Sequence, residues 1–528
     1  MNGTIRWRLL AISLLVIAAV LCACAPEAAE EAPEGNGEEQ LELGMVTYAL
    51  GSDVSQWDPA IVFDVSSVTL LNIYEPLLYY NPFDDDFEPA LAVDWEHNED
   101  ATVWTFHLRE GVTFHDGEPF NAEAVKYAIE RTVDIDQGPA FLWGAVETIK
   151  VIDEYTVEFV LDYPVALDLI ASSGYGTYMV SPAAAERGTD WFNEGNAVGT
   201  GPYRLREWVP GEQIVLDKFD DYWGGWDRPH FEIAVIKIVR EWSTARQLLE
   251  AGDVDLVRNI PLEAIPHLEA NPEIEIDVTP SFENLLGYLN FEKAPTDCIH
   301  VRRAITHALN YDAIVEEVLG GYGRKSVGVL PSSVWGHAPD LDAPEFDLGF
   351  AEEILSESPY YGTDMQLLLT HDQGNEQQRQ ISEILKANLS RLGIEMEIVE
   401  QPWEIRWPQA RSLETAPNIF LMYWWPTTVT PSDWLYTMFR SEDEAIFNLA
   451  YYENPEFDDL IDRGMMLEAY DREAAAELYG ESQQILLDDA AALFIYEQEY
   501  VVGKSASIRG FRNNPAYPHV VFFYQLTK

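Results

Sequence analysis

Residues Glu376–Glu400 read EQQRQISEILKANLSRLGIEMEIVE. Ile381, Ile384, Leu385, Leu389 and Leu392 fall on one stripe at helical spacing, which predicts a helix over 376–392. Gly393 follows as its cap, and IEMEIVE then reads as a strand. A helix handed to a strand through one glycine is the step that builds an α/β layer. The same alternation recurs elsewhere. Asp471–Leu487 is predicted helix and is followed by the strand-like ALFIYEQEYVV. Val301–Leu319 carries Ala304, Ile305, Ala308 and Leu309 at helical spacing, and Gly320-Gly321 should stop it. Ala101–Glu110 sets Trp104, Phe106 and Leu108 on one face of a strand. Asn121 is a good N-cap for AEAVKYAIERTV, and Tyr155–Leu161 alternates again. The expected class is therefore α/β, with strands from distant parts of the chain sharing sheets.

The N-terminus reads as an address. Arg6 and Arg8 precede the uncharged apolar run Leu9–Leu21, too short for a permanent span, which needs about 20 apolar residues. It ends in Leu21-Cys22-Ala23-Cys24, which resembles a bacterial lipobox, so Cys24 is the expected lipidation site and 1–23 the signal peptide. Cysteine at position 22 departs from the usual pattern, and a plain secretory signal is the alternative. Residues 24–42 are Glu-, Pro-, Ala- and Gly-rich and are expected to form a disordered acidic tether. Formal net charge is −59, and −61 once Arg6 and Arg8 are removed with the leader. A body this acidic repels phosphate backbones and excludes nucleic-acid binding. It also fits a saline habitat, where salt screens the self-repulsion. Cys298 is the one cysteine beyond Cys22 and Cys24, so no intramolecular disulfide or cysteine metal site is expected.

Several motifs then follow in order: Tyr74-Glu75-Pro76-Leu77-Leu78, Leu91-Ala92 with Trp95, WTFHLREGVTFHDGEPFNAEAVKYAIER over Trp104–Arg131, and Val198-Gly199-Thr200-Gly201-Pro202-Tyr203-Arg204-Leu205. Trp208, Gly211, Tyr222-Trp223-Gly224, Ala251-Gly252-Asp253-Val254-Asp255, Val301-Arg302-Arg303-Ala304-Ile305 and Tyr452-Glu453-Asn454-Pro455-Glu456-Phe457-Asp458 complete the series. In this order and spacing they resemble the family 5 extracellular solute-binding proteins, the dipeptide, oligopeptide and nickel receptors of ABC importers. The resemblance runs from about Leu43 to the C-terminus. It implies a two-lobed periplasmic-binding-protein-like fold (type II, cluster C). Lobe I would comprise 43–77, 186–280 and 495–528, with an inserted subdomain over 78–185, and lobe II would comprise 281–494. Crossovers near 279–284 and 490–496 would form the hinge. It further implies a monomer that takes a small-molecule or peptide ligand, delivers it to permease subunits with cytoplasmic ATPases, and works outside the cytoplasm on a lipid anchor. GTGPY glycines are expected to serve turns and FHDG to be a tight turn.

Phe420–Phe439, FLMYWWPTTVTPSDWLYTMF, is the main candidate for ligand contact. In peptide-binding relatives the tryptophan matching Trp425 lines the cleft. An aspartate three residues later takes the α-amino group, and an arginine three residues earlier holds carboxylate in some. Here those positions are Thr428 and Met422, so both charge partners are missing from this segment. A buried zwitterion needs its charges paired. Asp433 or Arg411 are the nearby replacements; the alternative is a neutral oligosaccharide stacked on aromatic faces. Strand alternation forbids Trp424 and Trp425 from both facing the cleft. Tyr423, Asp53 and Tyr48 are further lining candidates, and His371 is expected at the surface. Histidines are scattered without ligand spacing, so neither a metal nor a cofactor is expected. A surface glycosidase and a chaperone-like lipoprotein are the remote rivals; binding without catalysis is the expected activity.

Overall fold

In the computed structural model, which describes residues 43–258 and 260–528, Glu376–Arg391 is helical. Asn375 caps it by accepting the Gln378 N–H at 2.9 Å. Ile381, Leu385 and Leu389 are buried, and Gly393 takes the left-handed φ of +77° that ends the helix. Ile394–Gln401 then pairs in parallel with Met365–Asp372. Cys24, the leader and the tether expected over 24–42 lie outside the described residues.

Ten strands form one hydrogen-bonded path. Its order is Ile394–Gln401, Met365–Asp372, Ile419–Trp424, Ile274–Leu289, Ala492–Ser505, Leu256–Arg258, Leu43–Leu50, Phe231–Ile238, Gln213–Lys218 and Tyr203–Val209. Gly323–Lys325 adds an eleventh on Ala492–Ser505. The two longest strands carry the sheet from one wing to the other. Ile274–Pro280 pairs with Glu499–Ser505 and Asn284–Tyr288 with Ala492–Glu497, and the register breaks between Pro280 and Asn284. Ser281 fills part of the break: its Oγ donates to Gln498 O at 2.5 Å and accepts the Glu283 N–H at 3.0 Å.

The wing that holds Ile419–Trp424 is covered on both faces, as strands with near-continuous apolar runs require. On Ile419–Trp424, residues Phe420, Met422 and Trp424 pack with Trp434 and Phe439. Ile419 and Leu421 face the opposite way, toward Leu385 and Leu389. The segment after Leu77 builds a separate antiparallel sheet in the order Ala92–His97, Val103–Leu108, Thr156–Leu161, Val146–Asp153. Trp104, Phe106 and Leu108 are buried in it, and Asn121 caps the helix Ala122–Ile135 through the Ala124 N–H at 3.1 Å. Its apolar side merges with that of Leu43–Leu50 and Phe231–Ile238 in one core.

Three expectations are corrected. The helix expected over Val301–Leu319 runs only from Ile299 to Ala308. Leu309 is extended, and Asn310 starts a second short turn by accepting the Ala313 N–H at 3.1 Å. An asparagine whose side chain competes for backbone N–H groups ends one helix and caps the next. Gly199 and Gly201 have no left-handed φ; they let the backbone lie against Ile73, where a Cβ would come within 2.2 Å and 2.7 Å of Ile73 O. His371 is buried, with only 1% of its surface exposed, not superficial. FHDG is the tight turn expected, with the Gly117 N–H on Phe114 O at 2.9 Å. Its His115 is a structural peg: the His115 N–H donates to Gly199 O and the ring Nε2 lies 2.9 Å from Gly201 O. Burial holds the His115 pKa down at about 4.

Candidate ligand-binding cleft

At the break in the crossover the main chain opens onto two connected cavities. The larger, about 570 Å³, is lined by Arg258, Glu283, Tyr423, Tyr496, Tyr500 and His519 among others. The smaller, about 380 Å³, is lined by Phe63, Asp64, Tyr175, Glu283, Trp425 and Thr427 among others. Glu283, Tyr500 and His519 belong to both. Volumes of this size hold a small ligand largely enclosed.

The end of Ile419–Trp424 positions the aromatic wall. Trp424 is 7% exposed and packs edge-on against Phe447, with ring centroids 5.3 Å apart, while Trp425 is 50% exposed in the smaller cavity. Period-two alternation thus sends the adjacent tryptophans to different surroundings. Phe63 joins Phe141 and Tyr175 edge to face at 5.6 Å and 5.0 Å, extending the aromatic rim. Tyr423 borders the larger cavity and its hydroxyl lies 2.7 Å from that of Tyr496.

Other candidates sit elsewhere. Thr428 and Asp433 border a separate cavity of about 330 Å³ with Trp424, which meets the smaller one at Phe63 and Thr427. The Asp433 carboxylate accepts the Thr427 and Thr428 N–H groups at 2.7 Å and 2.9 Å, tying down the turn before the helix Pro431–Phe439. Burial raises its pKa to about 7 against those hydrogen bonds. Asp53 accepts from Trp208 Nε1 at 3.0 Å and from the Gly211 N–H at 2.7 Å, fastening the hairpin beside it, and borders neither crossover cavity. Tyr48 is fully buried with its hydroxyl on His519 O at 3.1 Å, and burial raises its pKa to about 12. Arg411 is at the surface, its Nε on Ala445 O at 2.9 Å. Met422 is core.

Charged groups do reach the cleft, from sequence positions far from Trp425. Arg258 is buried on the short strand Leu256–Arg258, its guanidinium 4.8 Å from the Tyr500 ring centre and its Nη1 on Asn513 Oδ1 at 3.2 Å. Glu283 stands in the register break and lines both cavities. Burial raises its pKa to about 7, and Arg258 works against that rise. His519 has a left-handed φ of +66°, and its ring pKa is pushed down to about 3 by burial and then by Arg258. A non-glycine residue held there stores strain where the cavities meet. The replacement charges expected from Asp433 or Arg411 thus come instead from Glu283 and Arg258. The signal for Glu283 in the sequence was faint: it falls within the crossover expected at 279–284, on a strand that also carries Glu275, Asp277 and Asn284. Among the described residues no group of three or more His, Cys, Asp or Glu side chains could hold a metal, and no helix is long and apolar enough to cross a membrane.

The chain is 28% identical over 494 residues to the probable D,D-dipeptide-binding periplasmic protein of Escherichia coli K12, covering 92% of this chain and 94% of that one. It is 25% identical to the dipeptide-binding protein of the same strain, covering 98% and 97%. Among solved structures, the periplasmic binding protein DppA of Helicobacter pylori in complex with the peptide STSA superimposes with a TM-score of 0.77 at 25% identity, over 92% of this chain and 98% of that one. NikA of Brucella suis in complex with Fe(III)-EDTA superimposes with a TM-score of 0.81 at 22% identity, over 92% and 99%, a likeness of fold. These structures place the α/β fold among the periplasmic binding proteins. The sequence pattern described as "Bacterial extracellular solute-binding proteins, family 5 Middle" matches residues 86–445, and with an aromatic-walled cleft at the crossover this chain belongs to that family of binding proteins.

Proposed function

We propose that this protein captures a short peptide in the crossover cleft and delivers it to an importer permease, held at the membrane by lipid on Cys24. Solute-binding proteins of ABC importers work outside the cytoplasm with permease and ATPase subunits, and bind without transforming the ligand. The observation that carries the peptide reading is the joint presence of Trp425, Glu283 and Arg258 around connected cavities. Aromatic faces suit side chains, and a carboxylate and a guanidinium suit the two charges of a peptide. Oligosaccharide binding, attractive for a neutral cleft, is not favoured where ionisable groups line the walls.

In this reading the lobes are 43–77, 186–280 and 495–528 against 281–494, with 78–185 inserted in the first. The break between Pro280 and Asn284 is where they bend. Ligand stabilises the closed arrangement by touching both sides. Tyr423, Trp424, Trp425, Thr428 and Asp433 come from the second lobe, while Tyr48 and Asp53 come from the first. Trp425 has the exposure a contact residue needs; Asp53, Tyr48 and Arg411 act as support. The receptor is monomeric. Thermal-shift screening of the mature protein against dipeptides, oligopeptides and β-linked oligosaccharides tests the assignment. Stabilisation by peptides alone is expected, and stabilisation by oligosaccharides alone would replace it. Metabolic labelling with a radiolabelled fatty acid tests the anchor, with label expected on the native chain and lost in Cys24→Ala.

A further inference from the structure

The geometry points to Glu283 as the seat for a cationic amine on the captured solute, the group that makes this receptor choose free amines over acylated ones. The inference rests on the cleft reading above and names a recognition element within it. Three observations converge on this side chain. Glu283 borders both crossover cavities, so a ligand in either one lies against this residue. Among the described residues its carboxylate receives no hydrogen bond and forms no ion pair, although its own N–H is used by Ser281. Three of the other carboxylates at the cavities are already engaged, Glu376 by Arg379 and Gln380, and Glu263 borders the larger cavity alone. Asp64 accepts from the Ser66 N–H at 2.8 Å and from Ser55 Oγ, and Glu499 lies 3.4 Å from Arg324 Nε.

A half-buried carboxylate with no donor is costly to keep ionised. A primary ammonium brings donors and the opposite charge together, so it removes that cost where a neutral amide cannot. Arg258 complements the arrangement: it is fixed by Tyr500 and Asn513, and its charge opposes the larger upward push of burial on Glu283, favouring the ionised form an ammonium requires. The register break is part of the device. Regular pairing would have placed residue 283 in the ladder, whereas the break lets its side chain stand at the junction of the cavities.

The test is calorimetric titration of the mature protein and of Glu283→Gln with two ligand series, each in free-amine and N-acetylated form: lysine-free di- to pentapeptides, and glucosamine oligomers. A third series, N-acetylated peptides with one lysine, separates an α-amine from a side-chain amine; tight binding of either is a success for Glu283. The unmodified protein is expected to prefer free amines by at least about tenfold, and Glu283→Gln to bring that ratio close to one. Melting of the unliganded variant within a few degrees of the parent shows that it folds. A ratio that survives in Glu283→Gln, or a parent protein indifferent to acetylation, overturns the assignment. Glu283-dependent binding of amino-sugars without peptides keeps the assignment and overturns the peptide reading. Peptide binding that ignores Glu283 does the reverse.

Discussion

Trp425 and Trp424 are chemically identical neighbours with opposite expected behaviour. Trp425→Ala removes an exposed cavity wall, so ligand affinity is expected to fall about tenfold or more while the unliganded Tm moves by about 2 °C or less. Calorimetry and melting of the same sample check both halves, and a large loss of unliganded stability would make Trp425 a core residue. The sequence made this pair legible because alternation along a strand needs only local order. It did not make Glu283, Arg258 and Tyr500 legible as neighbours. They come from three strands, and their meeting depends on the register of Ile274–Leu289 against Ala492–Ser505. Asp53 shows the converse. Its acidity and position invited a ligand role, and only the fold reveals that Trp208 and Gly211 use its oxygens.

Elements were read well where signals were periodic and capped, as in Glu376–Arg391 and Val103–Leu108, and less well where a polar side chain competed with the backbone, as at Asn310. The glycines divide in the same manner. Gly393→Ala only strains a left-handed φ with open space around it, and about 1 kcal/mol is expected. Gly199→Ala would drive a methyl group into Ile73 O, a backbone atom that cannot step aside, and a loss of about 3 kcal/mol is expected. Urea unfolding of the two variants checks the order, and equal losses would show that the 198–202 segment can move away from Ile73.

For the molecule as a whole, buried acids set the response to pH. Glu75, Glu283, Asp433 and Glu468 are each raised to about 7, in every case chiefly by burial. A carboxyl whose folded pKa lies above its unfolded value binds more protons when folded. Its stabilising contribution is complete below the unfolded value, near 4, and is lost as pH rises through 7. His115 and His519, held low by burial, act in the opposite direction below 6.5 but are fewer. Stability is therefore expected to decline from pH 5 to pH 8, each acid contributing at most about 1.4 kcal/mol per pH unit. Self-repulsion in a chain of net charge −59 adds to the same trend. Differential scanning calorimetry across that range checks it, and Glu468→Gln, which leaves Tyr479 and Ser432 a neutral partner, should flatten the decline. A Tm that climbs with pH would contradict the account.

The path of the chain through the sheet has a practical consequence. Leu43–Leu50 pairs with Phe231–Ile238 and Leu256–Arg258, while Arg509 and Thr527 bridge each other beyond the far end of Ala492–Ser505. A label, surface or optical handle attached beside Leu43 or beside Thr527 therefore loads the same wing, and the other wing is suspended from two strands. On the two-lobe reading proposed above, fluorophores placed beside Leu43 and beside Thr527 are expected to be nearly blind to capture. On the same reading, a reporter in which one dye sits near residue 340 or 360, on the suspended wing, is expected to convert lobe closure into signal.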